Sequence, residues 1–216
     1  RYQIKPNQIS AILLTHEHED HIKGAFSLAN KFQIPIYLSY GTYQMCQKKI
    51  NDGYQINFEL IRNFDSFMIE NVLVSPIPVP HDAREPCQFR FDCQDKSIAI
   101  ITDLGKITKH VVEKLSKVNL LVLEFNHDEK MLNSSDYPDS LKKRINGHYG
   151  HLENKESLKL LESINHLDLQ WVIAAHLSEK NNHIDLVKKM IFEIVDKKNS
   201  NVGIIDQELG LEWVST

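Results

Sequence analysis

Aliphatic residues along this chain fall into short runs separated by stretches of helical periodicity, and the alternation sets the expected elements. "SAILLT", residues 10–15, reads as a strand. The following "HIKGAFSLANKF" places Ile22, Phe26 and Ala29 on one face and predicts a helix over 21–32. "IPIYLS" reads as a strand and "GTYQMCQKKI" as a short helix. From residue 56 to 102 the texture changes, and "INFELI", "FMIENVLVSPIPV", "QFRFDC" and "SIAIIT" read as consecutive strands broken by proline and polar turns. Helix returns at "ITKHVVEKLSKV". The strand "NLLVLEF", two polar helical stretches around 136–165, the strand "QWVIAAH", the amphipathic "IDLVKKMIFEIVDKK" and a last strand "NVGIID" complete the chain. Strands interleaved with helices in this way predict a layered α/β domain and not a bundle.

Composition and charge narrow the class. A chain of 216 residues with 42% hydrophobic positions can bury one substantial core, so a single domain over 1–216 is expected. Its longest apolar runs, "LLVLEF" and "WVIAA", fall far short of the roughly 20 residues that cross a bilayer, and no membrane partner is expected. Three cysteines, an odd number with no CxxC pair, argue against a disulfide framework and fit a reducing cytoplasm. A net charge of -4 gives no general attraction to nucleic acid, so such a partner needs a local basic patch. Lys142, Lys143 and Arg144 supply one, although a solvated helix face is the commoner meaning of such a run. The chain opens on Arg1, and "NQISAILLT" has no earlier strand to pair with, which leads to the expectation of a natural protein that begins further upstream.

The candidate chemistry lies at strand ends, where side chains on loops converge without disturbing a core. "HEHEDH" packs three histidines and three carboxylates into residues 16–21, directly after an aliphatic run. His81 follows "SPIPVP", Asp103 follows "IAIIT", Glu124 sits inside "LVLEFNHD" and His176 follows "WVIAA". Imidazole with carboxylate and no cysteine suits zinc, manganese or iron, and five histidines plus two aspartates are too many for one tetrahedral ion. They suit two divalent ions, with Asp20 and His21 serving a different ion from His16 and His18, and an aspartate from another strand end as a bridge.

"THEHEDH" resembles the HxHxDH signature of the metallo-β-lactamase fold, an αββα sandwich with a two-metal site. By that resemblance His16, His18 and His81 hold one metal, Asp20, His21 and His176 the other, and Asp103 bridges. "HDAREP", "ITDLG", "EFNHD", "GHLEN" and "AAHLSEKNN" together are similar to the YycJ/WalJ family, whose members resemble DNA exonucleases and, more distantly, ribonuclease Z. That family has early strands ahead of the point where this chain starts, so the resemblance implies a fold lacking its N-terminal strands here. It also implies hydrolysis: oxygen-reducing relatives carry glutamate at the second ligand place, where this chain has His18. Common β-lactamases use a cysteine ligand, and no cysteine lies at a ligand position; Cys87 reads as a buried small hydrophobe.

The ribonuclease Z-like branch pairs a glutamate and a histidine outside the metal shell, and Glu124 and His151 lie where that pair is expected. Two metals bring a bridging water's pKa from 15.7 towards about 7, so hydroxide is available to attack phosphorus. Asp20 would orient it, and a protonated His151 held by Glu124 would donate to the departing oxygen. Around this set, His127 and His148 read equally as phosphate-binding or structural, Asn126 and Asn182 as phosphate donors or, slightly favoured, turn caps, Ser178 as fixing its loop, and His110, His166 and His183 as surface residues. The resulting expectation is a two-metal phosphodiester hydrolase, an exonuclease on DNA. A small-molecule hydrolase of cyclic phosphodiesters, thioesters or lactones is the second reading, and a non-catalytic metal-binding regulator, which the full ligand set disfavours, the third.

Overall fold

In a computed structural model the residues described are 4–50, 53–195, 200–205 and 210–216. The chain divides into two compact units, Arg1–Pro78 with Asp82–Cys87, and Val79–His81 with Gln88–Thr216.

The first unit contains a parallel sheet in the order β1 (Ile12–Leu13), β2 (Ile36–Ser39), β3 (Phe58–Ile61). The helix expected over 21–32 is two helices, α1 (Glu19–Ile22) and α2 (Ala25–Phe32). Gly24, at φ 85, separates them, because a residue in the left-handed region cannot continue a right-handed helix. Ile22, Phe26 and Ala29 nevertheless face one core with Leu14, Ile36, Leu38 and Cys46, so the apolar periodicity survives the break. Helix α3 (Tyr40–Cys46) starts where the Ser39 hydroxyl accepts from Thr42 N. Within the strand-rich stretch 67–79 lies a hairpin, β4 (Phe67–Ile69) against β5 (Val72–Pro78), turned at Glu70 with φ 52.

The second unit contains β6 (Cys87–Cys93) from Gln88 onward, β7 (Lys96–Ile101), β8 (Leu120–Glu124), β9 (Trp171–Ala175) and β10 (Asn201–Ile204) in the order β10-β9-β8-β7-β6. β6 is antiparallel to β7 and the others run parallel. Register places Ile101 beside Leu123 and Glu124 beside Ala175, so β7, β8 and β9 end at one rim. Leu121, Leu123, Val172 and Ala174 have no exposed surface, as expected for central strands covered on both faces. The helices are α4 (Lys109–Leu115), α5 (Glu129–Ser134), α6 (Asp139–Ile145), α7 (Asn154–Ile164) and α8 (Ile184–Ile194). Helix α5 was not expected from its polar sequence; the Asp128 carboxylate, accepting from Lys130 N and Met131 N, starts it. The last expected helix and strand reach residues 198 and 206; residues 196–199 and 206–209 lie outside those described. No described helix is long and apolar enough to cross a membrane.

Candidate metal centre

In the first unit the chain leaves β1 through Leu14 and Thr15 into the "HEHEDH" turn, and α1 carries Asp20 and His21. The Thr15 hydroxyl lies 3.0 Å from His16 Nδ1 and 3.0 Å from His21 Nδ1, so one side chain fixes two rings. His18 Nε2 is 3.2 Å from the Asp82 carbonyl oxygen. A carbonyl only accepts, so Nε2 carries the proton and Nδ1 offers its lone pair. That Nδ1 lies 3.0 Å from His16 Nε2, which puts two imidazole nitrogens where a shared cation fits. His16 is fully buried, whereas Asp20 is exposed, with its Oδ2 3.5 Å from His21 Nε2. Glu17, which the motif places between two ligand candidates, turns inward and accepts from Arg84 N at 2.8 Å.

In the second unit the organising group is Glu124, at the end of β8 and fully buried. Its Oε1 is 2.8 Å from both His151 Nδ1 and His176 Nδ1 and accepts from Asp103 N at 3.2 Å. Its Oε2 accepts from Leu104 N at 3.1 Å and Leu152 N at 3.0 Å. Burial pushes the carboxyl pKa up, but the hydrogen bonds and charges of His151 and His176 outweigh that and hold it at about 2. As an ionised acceptor, Glu124 keeps the Nδ1 proton on both rings. His176 Nε2 then offers its lone pair 3.7 Å from Asp103 Oδ1. His81 reaches the same atom by a different route: its Nδ1 is 3.1 Å from the Gly150 carbonyl oxygen, which leaves Nε2 facing Asp103 Oδ1 at 3.8 Å.

The Nε2 atoms of His81 and His176 thus both face one buried carboxylate oxygen, Asp103 Oδ1. Nitrogen with oxygen donors and no thiolate fit a borderline divalent ion. The imidazole–carboxylate contact behind His176 is the support that metal-binding histidines commonly have. Asp103, Glu124, His151 and His176 form a group whose ligand atoms all lie within 4.8 Å of one another.

Backbone conformation adds a cost that the surroundings offset. Asp103 has φ 53 and His176 φ 59, the left-handed region that side chains other than glycine seldom adopt. Such residues cost on the order of 1 kcal/mol or more and persist where neighbours hold them. Glu124 holds the first through the amides of Asp103 and Leu104. Asn126 Nδ2 holds the second by donating to the His176 carbonyl at 3.1 Å, and the Asn126 carbonyl accepts from Ser178 N.

Some of these roles had no sequence signal. Asn126 read as a turn cap, and it instead steadies His176. His127 is fully buried; burial pushes its pKa below the usual value, against a hydrogen bond to Asn146 and the charge of Glu124. Asn182 lies inside its loop, donating to the Phe125 carbonyl at 2.7 Å, and Ser178 Oγ accepts from Asn181 N. Cys87 is fully buried, with its thiol pushed up to about 12 by burial. Thr15, the support of two histidines, carries nothing in sequence beyond its place at a strand exit.

Comparison with known proteins bears on this geometry. Residues 2–176 match the model of the "Beta-lactamase superfamily domain". The chain is 30% identical over 201 residues to the exodeoxyribonuclease YycJ of Bacillus anthracis, covering 93% of this chain and 76% of the relative. It is 30% identical over 207 residues to the exodeoxyribonuclease WalJ of Streptococcus pneumoniae, covering 93% and 75%. Among solved structures, the metallo-β-lactamase fold protein YhfI of Bacillus subtilis superposes with a TM-score of 0.74 over 98% of this chain and 80% of its own, at 15% identity.

Proposed function

From the premise that this chain belongs to the β-lactamase superfamily and, within it, to the family of YycJ and WalJ, and is a metal-dependent hydrolase, we propose that it cleaves phosphodiester bonds as an exonuclease on DNA. The choice of DNA rests on the activity named for both relatives. We assign His16, His18 and His81 to one divalent ion, Asp20, His21 and His176 to a second, and Asp103 to both, with zinc or manganese as the ions and iron a third candidate. Bound there, the metals supply a water of lowered pKa and offset the charge that grows on phosphoryl oxygens.

The chain's own residues do the rest. Asp20 is the carboxylate that orients the attacking water. Glu124 holds the Nδ1 proton of His151 at 2.8 Å and stabilises the ring when it is charged, so that Nε2 delivers its proton to the departing oxygen. The His151 side chain is 21% exposed while Glu124 is buried, so the proton-donating ring meets substrate and its support stays dry. This His151–Glu124 pair is the observation that carries the reading.

The test uses the full chain loaded with zinc or manganese against labelled duplex DNA, single strands and RNA. Replacing His151→Ala should lower DNA turnover about 10²-fold or more and leave bound metal, by elemental analysis, unchanged. The deficit should shrink on a nitrophenyl phosphodiester, whose leaving oxygen needs no proton. Loss of metal in the variant would make His151 a ligand. Inert nucleic acids with rapid hydrolysis of a thioester or lactone would overturn the nuclease reading.

A further inference from the structure

Between α6 and His151 lies a loop, Asn146 to Gly150, whose backbone is fixed from several sides. Gly150 N donates to the Gly147 carbonyl at 2.9 Å, His151 N donates to the Ile145 carbonyl at 2.8 Å, and the Gly150 carbonyl accepts from His81 Nδ1. Gly105 packs so tightly on this loop that an added Cβ would lie 2.4 Å from the His148 carbonyl oxygen, and one on Gly150 would lie 2.2 Å from the Arg144 and Ile145 carbonyl oxygens. Out of this clamped backbone projects Tyr149, 65% exposed and two residues from the proton-donating ring. An exposed aromatic ring on an immobile loop contributes nothing to a core and has lost little freedom that binding would cost it.

The adjoining last turn of α6 carries Lys142, Lys143 and Arg144. Favourable placement of cations at a helix C-terminus accounts for Lys142, whose ammonium donates to the Asn133 and Ser135 carbonyls. Lys143 and Arg144 share that last turn and are exposed beside the loop. A chain of net charge -4 that keeps cations next to an exposed ring has the two elements that bind single-stranded nucleic acid, a stacking surface and backbone-neutralising charge.

We propose that Tyr149 is the platform on which the terminal base of the DNA strand stacks, with Lys143 and Arg144 on the phosphates behind it. This rests on the nuclease reading and adds how that site selects an end: a strand terminus with an unpaired base offers an open face to the ring, and an internal, paired base does not.

The experiment uses metal-loaded full chain and oligonucleotides carrying 2-aminopurine at the terminal or at an internal position. Wild type should quench the terminal probe and spare the internal one. Tyr149→Ala should lose the quenching and raise KM for DNA about tenfold with a far smaller change in kcat, while Tyr149→Phe, which keeps the ring, should retain both. The double variant Lys143→Ala, Arg144→Ala should keep the quenching at low salt and flatten the salt dependence of binding by about 0.7 for each lost phosphate contact. If wild type cleaves DNA and Tyr149→Ala matches it in KM and quenching, the platform is wrong and the nuclease reading stands. If wild type neither binds nor cleaves DNA, both fall.

Discussion

The two histidine clusters are built on opposite principles. In the first unit, three histidines lie within six residues and are oriented largely by near neighbours: Thr15 serves two rings, and the Asp82 carbonyl meets His18 from further along the chain. In the second unit the histidines and Asp103 come from positions 81, 103, 151 and 176, and three of those four are tied to one carboxylate on a fourth segment. Local chemistry of the first kind survives modest shifts of the fold around it. The second kind exists only when several strands are in register.

The sharpest way to break this contrast is Glu124. Replacing a buried, ionised hub by alanine leaves its donors without an acceptor, and Glu124→Ala should cost about 3–5 kcal/mol in urea unfolding. Glu124→Gln, which keeps shape and an acceptor oxygen, should cost less. Because the folded-state pKa is lowered from 4.5 to about 2, the carboxylate's contribution is complete above pH 4.5 and lost as pH falls towards 2. Wild type should therefore lose stability across that window, and Glu124→Gln should lose less.

Thr15→Val, nearly isosteric, is the matching change in the first unit. Here unfolding free energy should move by no more than about 1 kcal/mol. Metal affinity, measured by competition with a chelating dye, should fall about tenfold because two rings lose their common support. If Thr15→Val destabilised the chain as much as Glu124→Ala, the first cluster would be as dependent on the global fold as the second.

The smallest signal is chemical. Burial pushes Cys46 to about 11 and Cys87 to about 12, so at pH 8 both stay protonated and slow towards a thiol reagent. Both belong to the first unit, while Trp171 and Trp213 belong to the second. With its two-residue β1, the first unit should release its thiols at lower urea than the tryptophan fluorescence change. Coincident transitions would show one cooperative block.

The same contrast explains what the sequence makes legible. Aliphatic runs ending in a polar residue mark His81, Asp103, Glu124 and His176 because strand ends are defined by burial, and burial is written in residue type. The break at Gly24 was missed because Ile22, Phe26 and Ala29 keep helical spacing across it. The position of the turn at Glu70 has little signal of its own, because glutamate is not a turn former and the hairpin's pairing, not local preference, holds it at positive φ. Supporting contacts leave the least trace. That Glu124 serves His176 as well as His151, or that the Gly150 carbonyl orients His81, depends on strand order and on backbone atoms every residue shares.

The convergence on Glu124 has a consequence in time. Its donors are 20 to 52 residues away along the chain, on both sides of it. An ionised carboxylate served by only some of them is a poor intermediate, since each segment gains little until the others arrive. The pocket should therefore close in one late step, and the amides of Asp103, Leu104 and Leu152 should exchange their hydrogens together, at the rate of the whole unit's opening. A chain truncated or slipped anywhere in β7, β8 or β9 forfeits the hub entirely, so a half-made protein of this kind carries no half-working second cluster.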